Sequence, residues 1–259
     1  MLDIRQIPVL DDNYIYLIRD VATDIVAVID PALGDETLTY ADKLGWKINY
    51  ILNTHHHMDH VGGNLEIKAK TNCQIVGYCN DAMRIPGIDI RLDDGDIFML
   101  GQSAAKIFTT PGHTNGHIVY FFAHADGDDK GALFCGDTLF SLGCGRLFEG
   151  SAHDMWHSLL KIRNLPDNCK IYCAHEYSAT NAEFCLNLDG DNDDLKEKAT
   201  EIFALRAENK PTIPCLLGDE KRSNPCLRAD DKKLQKYLGM ENASPENIFK
   251  EIRARKDAF

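Results

Sequence analysis

The chain has 259 residues, 44% of them hydrophobic, enough for a sizeable core and for either one large domain or a main domain with a smaller one attached. Its 28 Lys and Arg against 40 Asp and Glu leave a formal net charge of -12, which sets a phosphate backbone aside as the expected partner, so no nucleic acid is expected. The longest apolar run, at 118–123, is too short to cross a bilayer, and the opening MLDIRQIPVLDDNY lacks the basic region and apolar core of a signal peptide, so a cytoplasmic protein without membrane association is expected.

Up to about residue 178 the sequence reads as short β-like runs closed by turn residues: IVAVID before Pro31, YILNT before a group of histidines, QIVGYC, and IFTTPG. A helix is expected over 151–165, where Ser151 and Asp154 make a capping-box pattern and Met155, Leu159 and Ile162 recur at helical spacing. Strands and helices in this mixture imply packed α/β layers. After Tyr177 the character turns helical, through EFCLNL, LKEKATEIFALRAENK, DKKLQKYLGM and SPENIFKEIRARKDAF, and a boundary is expected near 178. Segment 210–228, KPTIPCLLGDEKRSNPCLR, is rich in Pro and polar residues and reads as a long ordered loop. Ser244 followed by Pro245 marks a helix start, with Phe249, Ile252, Arg253 and Lys256 on one stripe. The apolar pair should dock, and the two basic side chains should snorkel outward.

Nine cysteines are scattered without a CxxC pair, so reduced core thiols are expected. Cys169 and Cys173 lack the second pair that a zinc site needs.

Four segments share one arrangement, in which an apolar β-like run ends and metal-capable side chains follow at once. INYILNT leads to His55, His57, Asp59 and His60; AKIFTTPG to His113; ALFCG to Asp137; KIYCA to His175. In layered α/β proteins such strand ends are where ligands gather. Within THHHMDHVGG, His55 and His57 point to one side while the chain is extended and His56 points away. Asp59 and His60 follow as the chain turns into a helix entered through Gly62 and Gly63, and so face a slightly displaced position. Taken alone, His113 or Asp137 would read as a turn residue. The compact HxHxDH would not, because packing offers no apolar gain for so many polar atoms. Five histidines and two aspartates exceed the three protein ligands of a simple catalytic zinc site and suit two metals sharing a bridging carboxylate. His117, His124, His153 and His157 lack such company and read as surface or supporting residues.

THHHMDH, TPGHTNGH, CGDTLF and CAHEY together resemble the metallo-β-lactamase superfamily across the first 178 residues or so. GDTLFSLGCGRLFEG, AHEYSATNAEFCLNL, KPTIP, SNPCLR and the terminal RARKDAF extend the likeness over the whole chain to the glyoxalase II, or hydroxyacylglutathione hydrolase, family. The resemblance implies an α/β fold, a four-layer αββα sandwich over 1–178, and a smaller helical glutathione-recognition domain over 179–259. It implies two divalent ions, zinc first with iron or manganese also accepted: one held by His55, His57 and His113, the other by Asp59, His60 and His175, with Asp137 bridging. Asp59 and Asp137 are then the carboxylates of the catalytic centre. Substrate contacts would fall on Arg146, Tyr177, Arg253 and Lys256. Arg146 stands where lysine is common in the family, and Phe148 where tyrosine is frequent.

The implied reaction is hydrolysis of S-D-lactoylglutathione, and of similar 2-hydroxyacylglutathiones, to glutathione and D-lactate, the second step of methylglyoxal detoxification, by a monomer. A glutathione-persulfide dioxygenase on the same scaffold is the nearest rival, and the long C-terminal region with its basic end argues against it. A β-lactamase would have no use for that region. A metal-stabilised binding protein without turnover is the alternative from another class.

Overall fold

The computed structural model describes residues 1–125 and 130–259. Two compact units emerge, one of Met1–Thr109 with Gly116–Gly136, the other of Thr110–Asn115 with Asp137–Phe259.

In the first unit β1 (Leu2–Val9) and β2 (Asn13–Asp20) pair antiparallel, and β2 pairs antiparallel with β3 (Val26–Ile29). The sheet continues in parallel through β4 (Ile48–Leu52), β5 (Gln74–Tyr78) and β6 (Ile90–Leu92). Parallel neighbours need crossovers. The first two are α1 (Gly34–Leu44) between β3 and β4, and α2 (Met58–Val61) with α3 (Asn64–Thr71) between β4 and β5. Strand β2 is buried on both faces, as a sheet covered on both sides demands. Ile15 and Leu17 join Val28, Ala41, Ile51, Ile67 and Ile75 in one core cluster. Tyr16, on the opposite face, meets Phe134 edge-on at 5.5 Å, and Phe134 meets Phe122 at 6.1 Å.

Those phenylalanines come from the second sheet of this unit, an antiparallel run of β7 (Ile97–Leu100), β8 (Ser103–Thr109), β9 (Ile118–Phe122) and β10 (Ala132–Gly136). Two ties fix this sheet against the end of β4: Ile118 N–H donates to the Thr54 carbonyl at 2.9 Å, and the buried Tyr120 hydroxyl donates to the Asn53 carbonyl at 2.9 Å. The residues following β4 are thereby held on both sides.

The second unit contains the hairpin of β11 (Leu139–Phe140) and β12 (Gly143–Cys144), helix α4 (Ala152–Arg163), and β13 (Lys170–Cys173). Then follow α5 (Ser178–Leu188), α6 (Asp193–Ala207), β14 (Cys215–Leu216, antiparallel to β13), α7 (Leu217–Ser223), α8 (Lys232–Tyr237) and α9 (Pro245–Ala258). The α/β expectation and the helical character after Tyr177 are both met. The Ser151 capping box is formed in full, and Ser244 caps α9 by accepting from Asn247 N–H.

Segment 210–228 departs from expectation. It is not a long loop: β14, α7 and a single 3-10 turn at Pro225–Leu227 fill most of it. Several of its polar residues, Thr212, Glu220, Ser223 and Asn224, are buried. Glu220 is fully buried and accepts from Ser141 Oγ at 3.0 Å, Leu142 N–H at 2.8 Å and Asn224 Nδ2 at 3.0 Å. Burial pushes the Glu220 carboxyl above its usual range.

Candidate metal centre

Unit one supplies the HxHxDH motif at the end of β4. Thr54 and His55 are fully buried there. Asp30, at the end of the parallel neighbour β3, accepts from Thr54 N–H at 2.8 Å and Thr54 Oγ1 at 2.6 Å, tying the two strand ends together. The same carboxylate lies 3.1 Å from His60 Nδ1. A carboxylate there assigns the ring proton to Nδ1 and leaves Nε2 with its lone pair. The Thr54 hydroxyl proton is committed to Asp30, so its oxygen accepts from His55 Nδ1 at 3.0 Å, and His55 Nε2 is likewise left with its lone pair.

His57 stands at the N-terminal boundary of the short helix α2, and its Nδ1 lies 3.1 Å from His55 Nε2. Asp59 Oδ2, which accepts from Asn13 Nδ2 at 3.1 Å, lies 3.3 Å from His60 Nε2. Gly63 lets the chain pass under the preceding turn: a Cβ there would sit 2.8 Å from the Pro31 carbonyl oxygen. His56 points away, as expected, with Nδ1 at 2.9 Å from Asp81. Of the two readings open for His117, surface or supporting residue, the second holds. It is fully buried, and its ring stacks on that of His55 at 4.8 Å and 22°.

Unit two supplies His113, Asp137 and His175, all buried. Ser158 on α4 donates to the Pro111 carbonyl at 2.7 Å and so holds the segment that presents His113. His113 Nδ1 donates to the Arg146 carbonyl at 2.8 Å, which directs Nε2 to Asp137 Oδ2 at 3.4 Å. The other carboxylate oxygen of Asp137 lies 3.4 Å from His175 Nε2. Gly145 permits this bracket, since a Cβ would lie 2.0 Å from the Asp137 carbonyl oxygen.

These spacings provide a test of fit for metal ions. Two ligands on a tetrahedral ion with bonds of about 2.0–2.1 Å sit roughly 3.3 Å apart. The pairs His55–His57, Asp59–His60, His113–Asp137 and Asp137–His175 span 3.1 to 3.4 Å. Nδ1 of His55, His60 and His113 is occupied by a hydroxyl, a carboxylate and a carbonyl, the outer contacts that metal-bound imidazoles make. The donor set fits divalent ions.

The expected substrate residues also fall in unit two. Tyr177 stacks on His175 at 4.8 Å with the rings nearly parallel. Arg146, largely exposed, meets Asp257 at 3.3 Å, and the same carboxylate oxygen accepts from Arg253 Nη2 at 3.0 Å. Arg253 does not snorkel outward. It is buried, and its Nη1 donates to the Cys144 carbonyl at 2.9 Å. Both terminal nitrogens have partners inside the unit, which offsets the cost of leaving solvent, while the buried Nε has none among the described residues. Lys256 is partly buried over the rings of Phe184 and Phe259 and donates to the Thr180 carbonyl at 3.3 Å. Burial draws its ammonium below the usual lysine range. Phe148 is exposed and sets its ring edge against His113 at 5.2 Å.

Reading the sequence missed Asp30, Asn13, Thr54 and Asp257. Asp30 ends the β-like run IVAVID, at a strand end like the ligand candidates, but stands alone before Pro31. Asp257 stands four residues beyond Arg253, at helical pairing distance.

Residues 9–175 match the family model described as metallo-β-lactamase superfamily, and residues 176–259 match the hydroxyacylglutathione hydrolase C-terminus. The hydroxyacylglutathione hydrolase of Rhodospirillum rubrum is 54% identical over 258 residues, covering 100% of this chain and 99% of that one. That of Methylococcus capsulatus is 48% identical over 259 residues, with 100% and 99% covered. Among solved structures, ETHE1 from Myxococcus xanthus superposes with a TM-score of 0.67 at 24% identity, covering 99% of this chain and 100% of that one. The BLEG-1 B3 metallo-β-lactamase gives 0.64 at 20% identity, with 88% and 99% covered. Both likenesses speak to the fold.

Proposed function

The chain belongs to the hydroxyacylglutathione hydrolase family of the metallo-β-lactamase superfamily, and from that premise we propose that it hydrolyses S-D-lactoylglutathione and similar 2-hydroxyacylglutathiones to glutathione and D-lactate, the second step of methylglyoxal detoxification. The observation that carries this reading is that one compact unit holds both the His113–Asp137–His175 bracket and the cations Arg146, Arg253 and Lys256.

On this reading the strand-end ligands divide between two ions. His55, His57 and His113 would hold one divalent ion, Asp59, His60 and His175 the other, and Asp137 would bridge them. Imidazole and carboxylate donors accept zinc first, and iron or manganese as well. Bound there, such ions supply Lewis acidity toward a carbonyl oxygen and acidify water near neutral pH.

The chain's own residues do the rest. Asp30 and Thr54 fix the orientation of His60 and His55, so the ligands are set before substrate arrives. Hydrolysis adds water across the thioester: the carbonyl carbon gains an oxygen, the C–S bond breaks, and the thiolate leaves. Thiol pKa values near ~8.5 make that thiolate a good leaving group, so no side chain is required as general acid. Asp59 serves as a ligand rather than a base. A glutathione conjugate carries two carboxylates, and Arg146 and Lys256 offer cations to hold them, with Tyr177 beside His175 and the buried Arg253 adding its charge to the same unit.

The division of labour on this reading is 1–178 for the chemistry and 179–259 for glutathione. We place the chain, as a monomer, in the cytoplasm: its nine cysteines are free, and no helix among the described residues is long and apolar enough to cross a membrane.

Parallel assays test the reading on metal-replete protein: thioester cleavage of S-D-lactoylglutathione, an acyl-CoA and a β-lactam, with oxygen uptake on glutathione persulfide alongside. The expected result is the highest kcat/KM on S-D-lactoylglutathione and no oxygen uptake. A higher value on either other substrate, or oxidation in place of hydrolysis, overturns it.

A further inference from the structure

The family's chemistry leaves one group of metal-capable side chains unused. His153 and His157 stand four residues apart on α4, and Glu246 stands in the first turn of α9. All three belong to unit two, and their donor atoms lie within 4.8 Å of one another. Glu246 Oε1 is 3.1 Å from His153 Nδ1 and 3.9 Å from His157 Nε2, and the two imidazole rings are 4.2 Å apart.

A hydrogen bond explains the first of those distances and leaves the second unexplained, because 3.9 Å is beyond hydrogen-bond reach. The tautomer of His157 adds a separate observation. Its Nδ1 donates to the His153 carbonyl at 2.8 Å, which places the lone pair on Nε2, the nitrogen facing Glu246. This is how a metal-binding histidine is usually set by its outer contact. Two histidines at i and i+4 share one helix face, the spacing used by helical zinc motifs.

The frame around the group is rigid. Ser151 and Asp154 close the capping box at the start of α4, and Ser244 with Pro245 fixes the start of α9. Between the helices Trp156 packs on Phe249 with centroids 6.1 Å apart, both buried. The Ser151 hydroxyl and N–H hold the Asp154 carboxyl below its usual range, and its charge lies near both imidazoles. The ligands themselves are open to solvent, with side-chain exposures of 62%, 51% and 43% for His153, His157 and Glu246, so an ion can enter without any opening of the fold.

We infer that His153, His157 and Glu246 form a separate binding site for a divalent transition-metal ion, zinc being the natural occupant of a two-imidazole, one-carboxylate set. The ion would join α4 to α9 at the end of α9 opposite the one that carries Arg253 and Lys256. Its remaining positions would be filled by water, and it takes no part in the reaction. Binding to the folded chain alone stabilises it by mass action.

The test uses full-length protein already loaded at its centre and titrated with zinc chloride at micromolar concentration by calorimetry, followed by thermal unfolding. Wild type should take up one further equivalent and unfold at a higher temperature when it does. His157→Gln and His153→Gln should each weaken that step more than roughly tenfold, given that even outer-shell changes cost about 10–100-fold. Both should keep the metal of the centre. Glu246→Gln, which retains both imidazoles, should weaken the step as well. Equal uptake by wild type and the histidine variants, unchanged affinity in Glu246→Gln, or no further uptake by wild type would each overturn the inference.

Discussion

Arg253 and Lys256 share one stripe of α9, yet their surroundings give them different duties. Arg253 is buried, with the Cys144 carbonyl and Asp257 as partners. Arg253→Ala would leave both acceptors without it, and removing one member of a buried charged pair costs about 3–5 kcal/mol. We expect a loss of about 2–4 kcal/mol in urea unfolding, less than the full penalty because Asp257 is partly exposed. Lys256 is the cleaner probe of substrate binding. Lys256→Ala should raise KM for S-D-lactoylglutathione about fivefold with kcat little changed, about 1 kcal/mol once a charged hydrogen bond is discounted for solvent screening. The effect should shrink at high salt, and an unchanged KM would remove Lys256 from the substrate site.

The same scale shows what the sequence could reveal. His55, His57, Asp59 and His60 were legible because four metal-capable side chains in six positions have no packing rationale. Asp30 was not, because a lone aspartate before a proline looks like a turn until the strand ends are seen side by side. The burial of Arg253 was also hidden, since its acceptor carbonyl belongs to Cys144, 109 residues earlier.

At the scale of elements, capping predicted well and composition predicted badly. Ser151 and Ser244 start their helices because their hydroxyls accept from backbone N–H groups close in sequence. Segment 210–228 misled because polarity normally means solvent, whereas Glu220 and Asn224 spend theirs on buried donors and acceptors around the β11–β12 hairpin. Asn224 Nδ2 reaches the Phe140 and Gly143 carbonyls at 3.2 and 3.1 Å. Glu220→Ala would strand two buried donors, Ser141 Oγ and Leu142 N–H, and take one of three acceptors from Asn224 Nδ2, and at roughly 1–3 kcal/mol for each stranded donor we expect a loss of about 3 kcal/mol in chemical unfolding.

Glu220→Gln separates charge from shape. The carboxyl is raised in the folded chain, so the folded state binds the proton more tightly, and stability falls as pH rises from the ordinary glutamate value of 4.5 through the raised one. The amide cannot ionise. The stability of wild type relative to Glu220→Gln should therefore decline as pH rises above the ordinary glutamate value of 4.5, as followed by unfolding midpoints of the two proteins. A relative stability that rises with pH over that window would show the carboxylate, not the acid, to be the favoured form.

For the whole molecule, fold class and family were legible because the motifs stand at strand ends in the order the α/β scaffold presents them. The grouping of compact units was not: Thr110–Asn115, with His113, clusters with the later part of the chain although it follows β8 directly. Contacts such as Ser158 to the Pro111 carbonyl decide that, and no local pattern encodes them. The net charge of -12 bears on the same scale, since an acidic molecule binding an anionic conjugate needs its cations gathered, and Arg146, Arg253 and Lys256 all lie in one unit.

The central claim is a two-metal hydrolase bridged by Asp137. The most direct measurement is the metal content of the chain, made in the His157→Gln background so that the site on α4 does not contribute, with the rate on S-D-lactoylglutathione taken from the same samples. The account predicts two ions per chain with full activity, and Asp137→Ala in that background depleted of metal and inactive while still folded. One ion per chain under metal-replete conditions with full hydrolysis, or Asp137→Ala retaining two ions and activity, would contradict it.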